Sequence, residues 1–514
     1  MAEPAAAEAV PRPSAVPYGI AGAALALILA SSVLGPYGYF IDELYYIACA
    51  KHLAWGYVDH PPLSIALLAL VRATLGESMF ALRLLPALAA AGAALVAGLT
   101  ARRLGGGHFA QVLAVLAAAL APVFLVMGSF YSMNAFELLL WPLVGLVLVS
   151  GLEKDAPRTW LVVGALVGLG LENKHTTVLL GAALAAGVVA TPARRHLATP
   201  WPWLAAFLAF LILVPNLLWQ QANAWPSLEF YRNAQLFKNI STPPARAVAD
   251  QVLFVGPGAL PLWIAGLAWL LAPRRHEAHR LLGVAFLVLF ALMLASRSSR
   301  PDRIAAFYPI LFAAGGVCLE RLSARRRGVK VALLAVLVAM GALVLPLSLP
   351  LLPPATVAAY ARAVGFLPRL ERGKTSPIPQ WLADRTGWEE FVDDVAAVYR
   401  TLPPDDQAKA VLYAPSYGQA GALELFGPAR GLPTRILCRQ NTYWMWSKAL
   451  PGPQVLIAVD ASPRDLDVAF AEHSRARVHH CQYCMSWRDD APIDVARGLR
   501  VPWRAAWDTT KHYE

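Results

Sequence analysis

A short polar segment after the first long apolar run contains residues that could carry out acid–base chemistry. It begins with Asp42 and Glu43 and ends with Asp59 and His60. A carboxylate at a membrane–water boundary is well placed to act as a general base. One base with cationic partners suits displacement of a lipid phosphate from a sugar carbon, because that leaving group needs charge neutralisation more than protonation. A glycosidase, in contrast, needs a second carboxyl group as an acid.

Cationic side chains that could neutralise a phosphate occur elsewhere in the chain. Lys174 interrupts a long apolar run, and Arg300 and Arg303 lie between two such runs. Ionisable groups at membrane depth are costly, so each is a hypothesis for function by default. The sequence therefore predicts that Lys174 and Arg300 meet the donor phosphate, with His60 as a further candidate and Arg303 as a second candidate arginine.

Structural roles remain open for each of these residues. Asp42 could cap a helix, and Glu43 could pair with a nearby arginine. Asp59 and His60 could cap the helix that the following Pro–Pro pair begins. Lys174 could extend from a short helix to the interface, and the two arginines could contact solvent or lipid headgroups.

Two further possibilities concern the same polar segment. Tyr46 lies in an aromatic-rich stretch, which is typical of the membrane interface; contact with the substrate sugar is the alternative. Asp42, Glu43 and Asp59 could together hold a divalent metal ion, although the proposed chemistry works without one. The sequence leaves the metal dependence open.

The composition shows what kind of protein must position these residues. Of the 514 residues, 57% are hydrophobic and 15% are charged, and the mean hydropathy is +0.49. Soluble domains have roughly 45–50% apolar and about 25% charged residues, so a soluble enzyme and a disordered chain are both excluded. The net charge of +11 arises from short arginine clusters between apolar runs, which indicates membrane topology and not nucleic-acid binding.

The apolar runs define a polytopic membrane protein, since a transmembrane helix needs about 20 mostly apolar residues. One long run, 159–191, is interrupted at Glu172–His175. Nine other runs lie near 18–36, 81–101, 109–128, 135–152, 201–219, 251–272, 281–295, 304–320 and 329–352.

Basic clusters predict the orientation, because Lys and Arg accumulate in cytoplasmic loops. These clusters are Arg102–Arg103, Lys154 with Arg158, Arg194–Arg195, Arg274–Arg275 with Arg280, and Arg321 with Arg325–Arg327. They share one side only if the run 159–191 forms two short spans that turn at Glu172–His175. That arrangement predicts about 11 spans, with the N-terminus inside and the chain after residue 352 outside.

The chain therefore divides into three predicted regions. Residues 1–17 form a cytoplasmic N-terminal tail. Residues 18–352 form a transmembrane bundle whose first outer loop, 37–80, is long and contains amphipathic stretches at 43–54 and 63–75. Residues 353–514 form an extracytoplasmic α/β domain.

Short apolar runs at 411–415 and 454–460 in the C-terminal region predict strands, and residues 380–400 and 464–473 predict helices. Cys438, Cys481 and Cys484 lie in this region, where a structural disulfide is expected and its connectivity is open. A zinc site that uses His479 or His480 is the alternative.

Several short motifs of the chain, taken in order, resemble GT-C glycosyltransferases. The resemblance is greatest to the bacterial protein-mannosyltransferase-like and aminoarabinose-transferase-like family (glycosyltransferase family 39/83 type), and it extends over nearly the whole chain. The motifs are Asp42-Glu43-Leu44-Tyr45-Tyr46, Asp59-His60-Pro61-Pro62-Leu63, Tyr131–Glu137, Leu171–Thr176, Arg300-Pro301 ahead of Tyr308-Pro309, Tyr417–Leu423, Gln440–Trp444 and Lys511-His512-Tyr513.

The resemblance implies an inverting transfer of a sugar from a polyprenyl-phosphate donor, outside the bacterial inner membrane, to a protein, lipid or glycan acceptor. It implies that Asp42 is the base. Some relatives have Lys at the position of His60, associated with the donor phosphate. His has an ordinary pKa of about 6.5, so His60 need not be charged at pH 7. Arg300 stands where relatives often have Lys, and it retains the cation.

Other classes of function remain as alternatives. A flippase or transporter for a lipid-linked sugar predicts paired repeats with broken helices at matching positions, and the sequence has one broken run, 159–191. A non-catalytic protein that binds the same lipid-linked glycan would not need Asp42. The sugar and the acceptor are not identified by the sequence.

Overall fold

The chain is mainly helical in the computed structural model, which describes residues 14–273, 276–297, 300–368 and 370–514. Most of the predicted tail 1–17, and Arg274 and Arg275 of one basic cluster, lie outside the described residues. The helices are α1 Val16–Leu34, α2 Ile41–Lys51, α3 Leu63–Leu75, α4 Met79–Arg103, α5 His108–Ala119, α6 Pro122–Gly128, α7 Met133–Leu152, α8 Thr159–Asn173, α9 Thr177–Ala190, α10 Trp201–Ala222, α11 Pro226–Asn233, α12 Pro244–Val255, α13 Leu260–Leu271, α14 Glu277–Ser296, α15 Tyr308–Leu322, α16 Arg327–Ser348, α17 Pro354–Val364, α18 Gln380–Ala383, α19 Trp388–Thr401, α20 Pro404–Lys409, α21 Tyr417–Phe426, α22 Asn441–Ser447, α23 Pro463–Ala469 and α24 Trp503–Thr509.

Short helical segments of other types lie between these helices. Ala234–Lys238 is a π-helical turn. The 3₁₀ segments are Pro192–Ala198, Pro257–Ala259, Pro301–Phe307, Pro428–Arg430 and Ser486–Arg488.

The expected polytopic helical membrane protein is confirmed. Within the described residues, seven helices are long and apolar enough to cross a membrane, and the count rises to ten if each of three bent helix pairs is one span. The helix α8 is also apolar but has only 15 residues. It corresponds to the first of the two short spans predicted within 159–191.

The three bent pairs share a cause that can be read from the sequence. They bend by 59°, 101° and 97°, and the second segment of each begins at Pro122, Pro192 or Pro257. Proline lacks a backbone N–H and suits the first turn of a helix, so it ends one helical segment and begins the next.

The chain divides into two compact units. Unit 1 contains the described residues up to Leu34, together with Leu75–Leu218 and Ser241–Leu351. Its core is rich in alanine, and fully buried examples include Ala93, Ala97 and Ala114. Small side chains let apolar helices approach closely, which suits helix packing in a membrane.

Unit 2 is assembled from three separate parts of the chain, Gly35–Thr74, Trp219–Ile240 and Leu352–Glu514. Its five strands form one sheet in the order β2-β1-β3-β5-β4. The strands are β1 Ala410–Ala414, β2 Ile436–Cys438, β3 Val455–Val459, β4 Phe470–His479 and β5 Ala491–Leu499. The first three pair in parallel, and β5 and β4 continue the sheet antiparallel.

This mixed sheet with its helices confirms the α/β prediction for the C-terminal region. The strands predicted at 411–415 and 454–460 are β1 and β3. The helix predicted over 464–473 is correct only as far as Ala469, because β4 begins at Phe470. The helix predicted over 380–400 is interrupted between α18 and α19.

Candidate active site

The carboxylates of unit 2 that the sequence singled out begin at the first turn of α2. The Phe40 backbone N–H donates to the Glu43 carboxylate over 2.8 Å, and Glu43 is fully buried. This bond satisfies one of the N–H groups that a helix start leaves unpaired. Glu43 therefore fixes the start of the helix, while the neighbouring Asp42 is half-buried.

Asp42 is held by a side chain from a distant part of the chain. The Tyr417 hydroxyl donates to Asp42 Oδ1 over 3.0 Å. Burial raises the pKa of Asp42 to about 6, the positive charge of Lys238 and the Tyr417 hydrogen bond act in the opposite direction, and the negative charges of Asp59 and Asp384 raise it. A carboxyl group with this pKa is ionised at neutral pH and is a stronger base than an ordinary aspartate.

Asp384 is a second buried carboxyl group of unit 2, at the C-terminal end of α18. Burial raises its pKa to about 6, and the charge of Arg488 partly offsets that effect. The Arg488 guanidinium lies 3.8 Å from the centroid of the Trp388 ring, a cation–π contact that helps to hold this buried charge.

The position of Asp59 is fixed by Tyr45, which follows Asp42 and Glu43 on α2. The Tyr45 hydroxyl lies 2.9 Å from Asp59 Oδ1 and 2.7 Å from Thr442 Oγ1. It donates to the carboxylate and accepts from the threonine, since a hydroxyl has one proton to give. Thr442 also accepts the Val58 backbone N–H over 3.0 Å, so the loop that carries Asp59 is tied to the N-terminal end of α22.

His60 is a fully buried side chain. Its ring packs against Tyr45, Tyr46 and Tyr57, with centroid separations of 5.8, 4.6 and 4.8 Å. Burial lowers its pKa below the ordinary value, and Nδ1 lies 3.1 Å from the Pro61 carbonyl oxygen, to which it can donate. These contacts favour packing over phosphate neutralisation for His60, and Tyr46 is part of the same packed cluster.

Lys174 of unit 1 lies at the predicted break between α8 and α9. Its ammonium group is 2.8 Å from Glu137 and 3.9 Å from Asp302. The Thr176 hydroxyl donates to the other Glu137 oxygen over 2.7 Å, and the Asn173 amide donates to the Met133 carbonyl over 2.8 Å. Two short helices and the start of α7 thus place a buried cation among carboxylates.

Arg300 and Arg303 are half-buried at the 3₁₀ segment Pro301–Phe307, on either side of Asp302. The Gln251 amide donates to the Pro301 carbonyl over 2.8 Å and accepts the Tyr308 hydroxyl over 2.9 Å. This buried anchor fixes the segment within unit 1.

The predicted site residues thus fall into two groups. Asp42, Glu43, Tyr46, Asp59 and His60 lie in unit 2, and Lys174, Arg300 and Arg303 lie in unit 1.

Three residues around Asp42 were missed as site residues. Tyr417 begins one of the motifs quoted above, which was the available signal for it. Lys238 lies among aromatic residues between the apolar runs 201–219 and 251–272. Asp384 had no sequence signal.

The metal alternatives gain no support from the described residues. Asp42, Glu43 and Asp59 do not form a group with metal-ligand spacing, and the group that has such spacing is the exposed set His480, Asp489 and Asp490.

The cysteines of the C-terminal region give a disulfide and one thiol. Cys481 and Cys484 are joined, which resolves the open connectivity and leaves Cys438 as a buried free thiol. The two thiolates that a zinc site beside His479 or His480 would use are therefore engaged in a disulfide.

Comparison with known proteins agrees with this architecture. A family model described as dolichyl-phosphate-mannose-protein mannosyltransferase matches residues 59–219. The crystal structure of ArnT from Cupriavidus metallidurans in the apo state is similar with a TM-score of 0.62 at 17% identity, and the match covers 94% of this chain and 98% of that chain. The chain has an ArnT-like fold. The expected resemblance to protein mannosyltransferases and ArnT is therefore confirmed.

A second structure of the same ArnT, bound to undecaprenyl phosphate, is similar with a TM-score of 0.58 at 15% identity and the same coverage of both chains. No curated protein matches this chain. At these levels of identity the structural likeness concerns the fold.

Proposed function

We propose that the chain is a membrane glycosyltransferase that moves a sugar from a polyprenyl-phosphate donor to an acceptor, with inversion at the anomeric carbon. The observation that carries the proposal is the Asp42 carboxylate, which is half-buried, hydrogen-bonded to Tyr417 and raised in pKa to about 6. The GT-C fold supports it, as does the undecaprenyl phosphate bound to ArnT. The proposed site of action is the outer side of a bacterial inner membrane.

In the proposed reaction Asp42 removes the proton from the acceptor hydroxyl. The hydroxyl oxygen forms a bond to the anomeric carbon, the bond from that carbon to the donor phosphate breaks, and the electron pair remains on the phosphate. Asp42 is then protonated. A base of pKa near the working pH is effective because it is mostly ionised and still accepts a proton readily.

The negative charge of the departing phosphate requires cations, and the proposal assigns this role to Lys174, Arg300 and Arg303. Charge-assisted hydrogen bonds from Lys and Arg are the strong contacts that phosphate oxygens make in proteins. The ion pair between Lys174 and Glu137 supports a preformed site, because the ammonium group has a fixed position within unit 1. In the proposal, the Lys174 ammonium group leaves its contact with Glu137 and pairs with the phosphate when the donor binds.

The proposal is tested by turnover of lipid-linked sugars with purified protein in nanodiscs. Radiolabelled polyprenyl-phosphate sugars are offered with cell-envelope extract as the acceptor, and wild type is compared with Asp42→Asn. We expect label transfer in wild type and a decrease of about 100-fold or more in the variant, which is the usual contribution of a general base. The matched control Asp405→Asn removes an exposed carboxylate of unit 2 and should keep full activity.

Full activity of Asp42→Asn would refute the assigned base. Retention of the donor's anomeric configuration in the product, measured by NMR, would refute the inverting mechanism. Binding of donors without transfer by wild type across the whole panel would refute the proposed transferase activity.

A further inference from the structure

We propose that Tyr417 is a positioning residue for the Asp42 base, so that the C-terminal region takes part directly in the chemistry. This inference rests on the role of Asp42 proposed above. Tyr417 and Asp42 are 375 positions apart in the chain, and the hydroxyl of one donates to Oδ1 of the other over 3.0 Å. This contact orients the carboxylate through one of its two oxygens, and in the proposal the other oxygen takes the acceptor proton.

The start of α21 fixes the position of the Tyr417 backbone. The Ser416 hydroxyl accepts the Gln419 N–H over 3.2 Å, as an N-cap does. The Tyr417 N–H donates to the Gln440 side-chain oxygen over 2.9 Å. Both backbone bonds lie within two residues of the tyrosine, so the ring projects from a rigid point and not from a mobile loop.

Two glycines of α21 allow this helix to approach α2 closely. A side chain at Gly421 would place its Cβ 2.8 Å from the Leu44 carbonyl oxygen, and one at Gly418 would collide with Ile41. At the other end of the same contact, Lys51 pairs with Glu424 over 2.8 Å. The close approach is what brings a tyrosine at the N-terminal end of α21 within reach of an aspartate at the start of α2.

The hydroxyl groups of the neighbouring tyrosines have other partners, so the contact with Asp42 is made by Tyr417. The Tyr417 ring lies against Tyr45 with a centroid separation of 4.9 Å, and the Tyr45 hydroxyl is already engaged by Asp59 and Thr442. Tyr443, on the other side of Tyr45, donates to Glu424 over 2.8 Å. Of these three neighbouring tyrosines, Tyr417 is therefore the one that donates a hydrogen bond to Asp42.

A hydrogen bond to a carboxylate favours its ionised form, so this contact affects the protonation of Asp42 as well as its orientation. Its loss should move the acid limb of the rate profile to higher pH. Besides Tyr417, the groups that act on the pKa of Asp42 are Lys238, Asp59 and Asp384, and Glu371 acts on Tyr417. Other ionisable groups on α2 or packed against it are Glu43, Tyr45, Tyr46, Cys49, Lys51, His60, Glu424 and Tyr443.

The test is the pH dependence of kcat/KM for sugar transfer by the full chain with Tyr417→Phe. We expect the acid limb to move up by roughly one pH unit. The rate should then be about fivefold below wild type at pH 6, where half of Asp42 is ionised in wild type, and close to wild type at pH 8. The matched control Tyr443→Phe removes a buried tyrosine hydroxyl that is bonded to Glu424 and should leave the acid limb unchanged.

A second variant keeps the test decisive if Tyr417→Phe does not fold. With 3-fluorotyrosine at position 417, the shape is kept and the hydroxyl is a stronger donor, so the acid limb should move to lower pH. An unchanged pH profile in both variants, or an equal loss of rate at every pH, would overturn the positioning role. Either result with an inactive Asp42→Asn would leave the base assignment standing, whereas an active Asp42→Asn would refute the proposed function itself.

Discussion

The charge state of Asp42 depends on the charged groups around it. The ionised Asp384 carboxylate disfavours a second negative charge nearby, and this effect is one of those that raise the pKa of Asp42. Asp384→Asn removes that charge and keeps the shape of the side chain. We predict that the acid limb of the transfer rate moves to lower pH by roughly half a unit, as measured by kcat/KM between pH 4.5 and 8.

Lys238 tests the same electrostatic explanation with a charge of the opposite sign. Its positive charge favours ionised Asp42, so Lys238→Met should move the same acid limb to higher pH. If both variants moved the limb in one direction, the electrostatic explanation would be wrong and a general change of structure would be indicated.

The structural role and the chemical role of the buried ion pair between Lys174 and Glu137 can be tested separately. Removing one partner leaves an uncompensated buried charge, which costs about 3–5 kcal/mol. Lys174→Met and Glu137→Gln should each lower the thermal midpoint in detergent, and the double variant should regain part of the loss. If Lys174 also meets the donor phosphate, sugar transfer stays low in the double variant; recovery of transfer together with stability would reduce Lys174 to a structural residue.

The sequence marked candidate residues but did not show what surrounds them in the folded chain. Asp42 was chosen because a carboxylate follows an apolar run, and its position at the start of α2 agrees with that reasoning. For His60 the sequence left open a phosphate contact and a role as a neutral side chain, and its ring is buried among three tyrosines. This packing depends on how α2 and the loop after it fold together, so the burial of His60 became visible only in the folded chain.

At the level of elements, the close contact of α21 with α2 depends on glycines of α21, which have no side chain. Gly421→Ala adds a methyl group where the Leu44 carbonyl oxygen would be 2.8 Å away. Overpacking of this kind typically costs 1–3 kcal/mol, so we predict a lower thermal midpoint for unit 2 and a slower sugar transfer. The control Gly181→Ala, in open space on α9, should lower neither the thermal midpoint nor the transfer rate, since Ala favours a helix more than Gly does; an equal loss in the two variants would contradict the packing argument.

Elements were predictable where the local pattern was strong. The break between α8 and α9 followed from four polar residues inside an apolar run, and the buried strands β1 and β3 followed from short apolar runs. The strand β4 was missed because it is an edge strand, exposed along most of its length and paired with β5 alone. Its polar sequence has no buried face to mark it, and one neighbour is enough to satisfy its backbone on one side.

For the whole molecule, the assembly of unit 2 from three distant segments could not be predicted from the sequence. The C-terminal region was predicted as a domain of its own, whereas the compact unit also includes Gly35–Thr74 and Trp219–Ile240. The Arg372 N–H donates to the Lys238 carbonyl over 2.8 Å, and its guanidinium contacts the carbonyls of Leu236 and Asn239. Such pairings carry no periodic signal, since each joins residues more than 130 positions apart.

This assembly predicts that residues 353–514 are not self-sufficient. Without α2, the face of α21 around Gly418, Gly421 and Ala422, which is buried in the full chain, would be open to water. The isolated segment should bind the dye ANS and be cleaved by trypsin at least tenfold faster than the same region of the full chain, because more of its open form is populated. Supplying a peptide of residues 35–74 in excess should reduce both signals, as binding to the native state stabilises it. A segment that is resistant and free of dye binding on its own would show that the C-terminal region folds independently and that the other two segments merely attach to it.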